Sequence, residues 1–143
     1  MPSTRTDDTT LRRILTENRR VAVIGAKEGG WEPAFYVPAY LRERGWSVVG
    51  VNPKLAGTTW LGTEAVATLA DLPDPVDVID VFRRPEFLMG IAREILALPW
   101  RPRVVWFQLG IADDAAAELL VAVGIAVVQD RCMKPEHERL VGG

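Results

Sequence analysis

The sequence has a single cysteine and a single histidine. One cysteine excludes a disulfide framework within the chain, and one of each residue is too few for the usual zinc ligand sets. No apolar run approaches the roughly 20 residues that span a bilayer. Neither charge is in large excess: the formal net charge is −2. No global basic field therefore draws nucleic acid, and any anion site has to be local. No repeat, low-complexity tract or linker interrupts the chain. The Walker pattern is missing, since no lysine is followed by Ser or Thr. The first twenty residues are polar and lack the apolar segment of a signal peptide. The expected address is the cytoplasm, with no membrane partner.

What is there is ordinary in bulk. The chain has 143 residues, 48% of them hydrophobic and 25% charged. That suits one domain with a proper core. The expected division is an N-terminal arm and short helix over residues 1–18, then a core over 19–140. Leu11, Ile14 and Leu15 have helical spacing and predict an amphipathic helix from about Asp8 to Asn18. It is free to pack on its own sheet or on a second subunit. Apolar runs at Val21–Gly25, Ser47–Val51, Val76–Phe82 and Arg103–Gly110 read as strands, with a fifth in "IAVVQD". A small extended piece is expected near Trp60 and Leu61, and a helical turn in "TLADLPDP". Helices are expected from Ala34 to Arg44, from Pro85 to about Leu98, from Asp113 to Gly124, and in the tail "KPEHERL". Pro38 is awkward inside the first of these, so that helix is expected to start later or bend.

Continuous apolar strands alternating with helices imply a parallel sheet covered on both faces. The expected fold class is α/β: a single-domain, Rossmann-like, doubly wound five-stranded parallel sheet in three α/β/α layers. Ligands of such folds lie outside the carboxyl ends of the strands, where the strand order reverses. The loops after each strand are therefore the places to search.

After strand one comes "GAKEGG", with Gly25, Gly29 and Gly30 but Lys27 where the dinucleotide fingerprint has glycine. Its amides and the next helix's positive end are suited to a phosphate. The plainer reading is a strand-to-helix turn. Strand two ends in "VNPKLAGTTW". A NAD site places Asp or Glu there to hold the ribose; this chain has Asn52, then Pro53 and Lys54. Lys54 offers a compact positive charge, and Thr58 and Thr59 offer hydroxyls. The alternative is a solvated surface lysine. After strand three, Arg83 and Arg84 are suited to phosphate, or one or both pair with Glu86. Phe82 is placed to meet a flat ring. Gln108 and Gly110 end strand four, either near a polar chain or as ordinary turn residues. After strand five, Cys132 lies between Arg131 and Lys134 at a helix start, three features that would favour the thiolate; a small buried thiol is the commoner state of a free cysteine and the expected reading. His137 has no partner in the sequence and reads as a helix-surface histidine.

The segments "VAVIGA", "YLRERGWSVVGVNPK", "GTTWLG", "DVIDVFRRPEF", "VVWFQLGI" and "QDRCMKPEH", in that order, resemble the small stand-alone CoA-binding proteins. Those proteins share a Rossmann-like fold with the CoA-binding domain of the succinyl-CoA ligase alpha subunit. "GTTWLG" is similar to the ligase stretch "GTTHLG". The resemblance implies that Gly25, Ala26, Lys27 and Gly29 take phosphate, although Lys27 stands where the family usually has serine. It implies that Val51, Asn52, Pro53 and Lys54 line the adenosine-phosphate end. It also implies that Val81, Phe82 and Arg83 flank the adenine or pyrophosphate, and that Gln108, Leu109 and Gly110 face the pantetheine. Coenzyme A carries a 3'-phosphate on its ribose, so a lysine in place of the NAD acid would attract it.

The expected function is therefore binding of coenzyme A or an acyl-CoA by a module without catalysis of its own. Two alternatives stay open. One is an enzyme acting on the CoA thiol through Cys132. The other is an NADP-dependent reductase in which Lys54 meets a 2'-phosphate. A second copy of the chain or a partner protein stays open too.

Overall fold

The computed structural model describes residues 6–142. The elements are α1 (Asp8–Glu17), β1 (Arg20–Ile24), α2 (Pro33–Glu43), β2 (Ser47–Val51), β3 (Thr59–Trp60) and β4 (Thr63–Glu64). They continue with β5 (Val78–Val81), α3 (Leu88–Leu96), β6 (Val104–Phe107), α4 (Asp114–Val121), β7 (Ala126–Val128) and α5 (Met133–Leu140). The main sheet has the order β2-β1-β5-β6-β7 and all its pairings are parallel. This is the expected doubly wound α/β fold. The order reverses between β1 and β5, which makes that edge the switch point. Ile24 is in register with both Val51 and Val81, so the carboxyl ends of β1, β2 and β5 finish level.

Each sheet strand buries both faces, which is why the sequence runs apolar without alternation. One face packs Val23, Val78 and Trp106 against Leu11, Leu41 and Met133 of the helices. The other packs Ile79, Val105 and Phe107 against Ile91, Ile95 and Leu120. Helix α1 starts where the Asp7 carboxylate accepts from Thr10 N at 2.8 Å. Its Leu11, Ile14 and Leu15 join the chain's own core. The Arg139 guanidinium of α5 reaches Asp8 at 2.9 Å, and Arg12 Nε donates to Leu140 O at 3.1 Å. The choice left open for this helix is thus settled in favour of its own domain.

Two local expectations change. Helix α2 does not start late: Pro33 occupies its first turn, and the helix runs through a buried Pro38 to Glu43. Proline suits the first turn, where its missing amide has no partner to lose. The second change concerns His137, which lies not on the surface but at 2% exposure against Tyr40. The Tyr40 hydroxyl and His137 Nδ1 are hydrogen-bonded at 2.8 Å. Burial first, then the nearby Arg44 and Arg19 charges, hold the imidazole below its usual pKa. Replacing Tyr40 with Phe would leave a buried ring nitrogen without a partner. That variant is expected to lose about 1 to 3 kcal/mol in urea unfolding.

The connection from β2 to β5 contains no α-helix. It holds the β3–β4 hairpin and a single 3-10 turn, Leu69–Asp71, closed by a Thr68–Asp71 capping box. The hairpin turns on Leu61 and Gly62, both left-handed at φ +46° and +84°. Two left-handed residues suit the right-handed twist of a tight hairpin.

Candidate functional site

The site grows from one glycine. Gly25 follows β1 with φ +85°, and a Cβ there would collide with the Phe82 carbonyl oxygen. Its N–H donates to Val51 O at 3.1 Å, while Phe82 N–H donates to Ile24 O at 2.9 Å. Only a residue without a side chain lets the three strand ends converge so closely.

The loop that follows is held by its carbonyls. Ala26 O accepts from Asn52 Nδ2 at 2.8 Å, Lys27 O from Trp60 Nε1 at 2.9 Å, and Gly29 O from Glu32 N–H at 2.9 Å. Among the described residues, the amides of residues 26–31 donate to no atom of the chain. A run of unpaired amides just ahead of a helix is suited to an anion.

Asn52 therefore has a structural task. Its Nδ2 ties down the Ala26 carbonyl and its Oδ1 accepts from Lys54 N at 2.9 Å, which closes a local turn. An aspartate there would lose the first of these bonds. The turn projects Lys54 beyond β2, where among the described residues no acid lies within ion-pair distance of it, whereas Lys27 pairs with Glu32 at 3.6 Å. The two arginines after β5 divide in the same way. Arg84 pairs with Glu86 at 3.1 Å. The Arg83 guanidinium lies 4.3 Å above the Phe87 ring and, among the described residues, has no carboxylate partner.

Two adjoining clefts open at these strand ends. The larger, about 710 Å³, includes Gly25, Val51, Asn52, Pro53 and Lys54 on one side and Phe82 and Arg83 on the other. The smaller, about 450 Å³, includes Gln108, Leu109, Gly110 and Cys132. Lys27, Phe82, Arg83 and Arg84 border both. Both volumes lie in the range of small-molecule sites. Four expected residues line neither cleft. Ala26 and Val81 are buried in the core. Gly29 braces the loop through its carbonyl, and the Thr58 hydroxyl is used by its own turn, donating to Leu55 O at 2.6 Å. Ala67 and Thr68 border the larger cleft instead, brought there by the helix-free crossover.

Behind the smaller cleft lies a residue the sequence reading passed over. Asp80, on the central strand β5, is fully buried. Its Oδ1 accepts from Gln108 Nε2, and Gln108 is 3% exposed. Among the described residues, Asp80 Oδ2 and Gln108 Oε1 are buried without a partner. Burial, only partly opposed by the Gln108 bond, pushes the Asp80 carboxyl up to about 8. An acid inside the apolar run "VDVIDVF" was the available signal, since buried acids without a charged partner are rare.

The surroundings of Cys132 do not favour a thiolate. It occupies the N-cap position of α5. Burial pushes its thiol up, and the Asp80 and Glu136 carboxyls push the same way against the Lys134 amide and charge. The small, partly buried thiol is the reading that fits.

Fold and clefts together define a doubly wound α/β domain of the nucleotide-binding kind, with its cleft at the switch point. Residues 19–138 match the CoA binding domain family, and the chain belongs to that family. The membership supports coenzyme A as the ligand. A solved Thermus thermophilus protein is 47% identical, with a TM-score of 0.89 over 94% of this chain and 99% of its own. A hypothetical protein of Pyrococcus horikoshii OT3 is 33% identical, with a TM-score of 0.88 over 99% and 97%. The uncharacterized protein YneT of Bacillus subtilis is 32% identical over 127 residues, 89% of this chain and 91% of its own. Among the described residues no helix is long and apolar enough to cross a membrane.

Proposed function

We propose that the protein binds coenzyme A or an acyl-CoA across the two clefts, as a binding, sensing or presenting module without catalysis of its own. The adenosine and its phosphates take the larger cleft, and the pantetheine runs into the smaller. The observation that carries this reading is the pairing of a braced loop of free amides with an unpaired Lys54, in a site where Asn52 replaces the NAD acid. Arg83, which has no carboxylate partner among the described residues, supplies a second cation at the shared border. The raised Cys132 thiol argues against a resting nucleophile.

Calorimetric titration with coenzyme A, dephospho-CoA and NADP tests the reading. Tight coenzyme A binding that weakens without the 3'-phosphate supports it. Binding of NADP alone would replace it with the reductase alternative. Lys54→Ala is expected to cost about 1.5 to 3 kcal/mol of coenzyme A affinity, the worth of a charged hydrogen bond. Dephospho-CoA should lose much less. Equal losses would mean that Lys54 does not read the 3'-phosphate.

A further inference from the structure

The Asp80–Gln108 contact belongs neither to the phosphate end nor to the packing of the sheet. Asp80 is in register with Val23 of β1 and Trp106 of β6, on the face covered by α1, α2 and α5. Among the described residues no cation pairs with it from either strand or from any of these helices. The titratable groups on that side include Cys132, which senses the Asp80 charge, Lys134, Glu136 and His137 of α5, and Tyr40 of α2, which is hydrogen-bonded to His137. What Asp80 does touch is the amide of Gln108, a border residue of the smaller cleft. The contact leaves one oxygen of each side chain buried and unpaired. An ionised carboxylate cannot relieve this, because it has no proton to give the Gln108 oxygen. A carboxylic acid can. Its O–H turns one orphan acceptor into a donor for the other.

We propose that Asp80 and Gln108 form a two-point acid–amide pair, and that Asp80 is a positioning residue that holds the second Gln108 N–H toward the smaller cleft for a carbonyl of the bound ligand. In the pair, Gln108 Nε2 donates to Asp80 Oδ1 and the Asp80 O–H donates to Gln108 Oε1. One amide hydrogen is then left over. A glutamine fixed at both atoms cannot turn its oxygen toward the ligand. The cleft therefore selects an acceptor at that point, such as an amide or thioester carbonyl. This inference rests on the coenzyme A reading, in which the pantetheine amides pass this place. The direction of the Asp80 shift agrees with the acid form.

The test uses the full chain and two ligands. Coenzyme A carries the pantetheine arm, and adenosine 3',5'-bisphosphate lacks it. Asp80→Leu removes the pair, whereas Asp80→Asn keeps both of its hydrogen bonds with an amide in place of the acid. Asp80→Leu is expected to weaken coenzyme A about tenfold, the usual worth of one hydrogen bond, and the bisphosphate less than about twofold. Asp80→Asn should bind both ligands as wild type does. Raising the pH from 7 to above 9 should weaken coenzyme A further in wild type than in Asp80→Asn. Equal losses of both ligands in Asp80→Leu, or no loss of either, overturn the positioning role.

Infrared difference spectra give a ligand-free reading, should Asp80→Leu fail to fold. A protonated-carboxyl band present in wild type at neutral pH and missing in Asp80→Asn supports the pair; its absence from wild type overturns it. If wild type binds neither ligand, the coenzyme A reading fails and the positioning role with it. If wild type binds coenzyme A and the variants do not separate the ligands, only the present inference fails.

Discussion

Between about pH 4 and pH 8 the wild-type protein is expected to lose on the order of 5 kcal/mol of stability relative to Asp80→Asn. In the unfolded chain Asp80 releases its proton near the ordinary 3.8, and in the native state only near 8. Over that interval the native state holds a proton that the unfolded state has given up. Stability therefore falls as pH rises. The contribution is whole below the lower value, erodes through the interval and is gone above the upper one. Each unit of separation corresponds to about 1.4 kcal/mol. Asn carries no proton to lose, so the difference between the two proteins isolates Asp80. His137 acts in the opposite sense. Its depressed native value removes stability as the pH falls below the ordinary histidine range, but it does so equally in both proteins. Urea unfolding at pH steps across the interval measures the gap. Parallel curves would show that Asp80 is ionised in the native state at neutral pH.

Gly25→Ala is the second large effect. A methyl group at this position would press on the Phe82 carbonyl, which is backbone and is held by the sheet. The left-handed conformation adds its own cost for any residue with a Cβ, about 1 to 3 kcal/mol. Together the two are expected to remove about 3 kcal/mol or more and to spread the ends of β1 and β5. Ligand binding should disappear even where the variant still folds, since both clefts share Phe82. Gly30→Ala in the same loop is the control. It meets open space within 4 Å and has no left-handed requirement. A comparable fall in melting temperature and binding in both variants would contradict the argument.

The sequence made the sheet legible because its strands are short apolar runs cut by glycines, and each such run could be read locally. The strand order put the expected loops side by side, and most of the expected residues meet there. What escaped depended on partners distant in sequence. His137 looks polar within "KPEHERL", and only Tyr40, 97 residues away, makes it a core residue. Asp80 stood in plain view within an apolar run. Its meaning, however, rests on Gln108, which arrives through the β5–β6 register. Asn52 was read as the absence of an acid; its two bonds give it a positive role in bracing the loop. Thr58 had a suitable hydroxyl, but the turn itself used that hydroxyl first.

The three carbonyl anchors on the loop after β1 come from Asn52, from the Trp60 indole in the hairpin, and from the start of α2. They fix the loop before any ligand arrives. An incoming phosphate then has little chain disorder to remove, and this is the usual source of lost affinity in mobile loops. Capture would accordingly be governed by encounter rather than by a slow rearrangement of the protein. Related ligands that differ at the 3' position or along the arm would arrive at similar rates and be sorted by how long they stay.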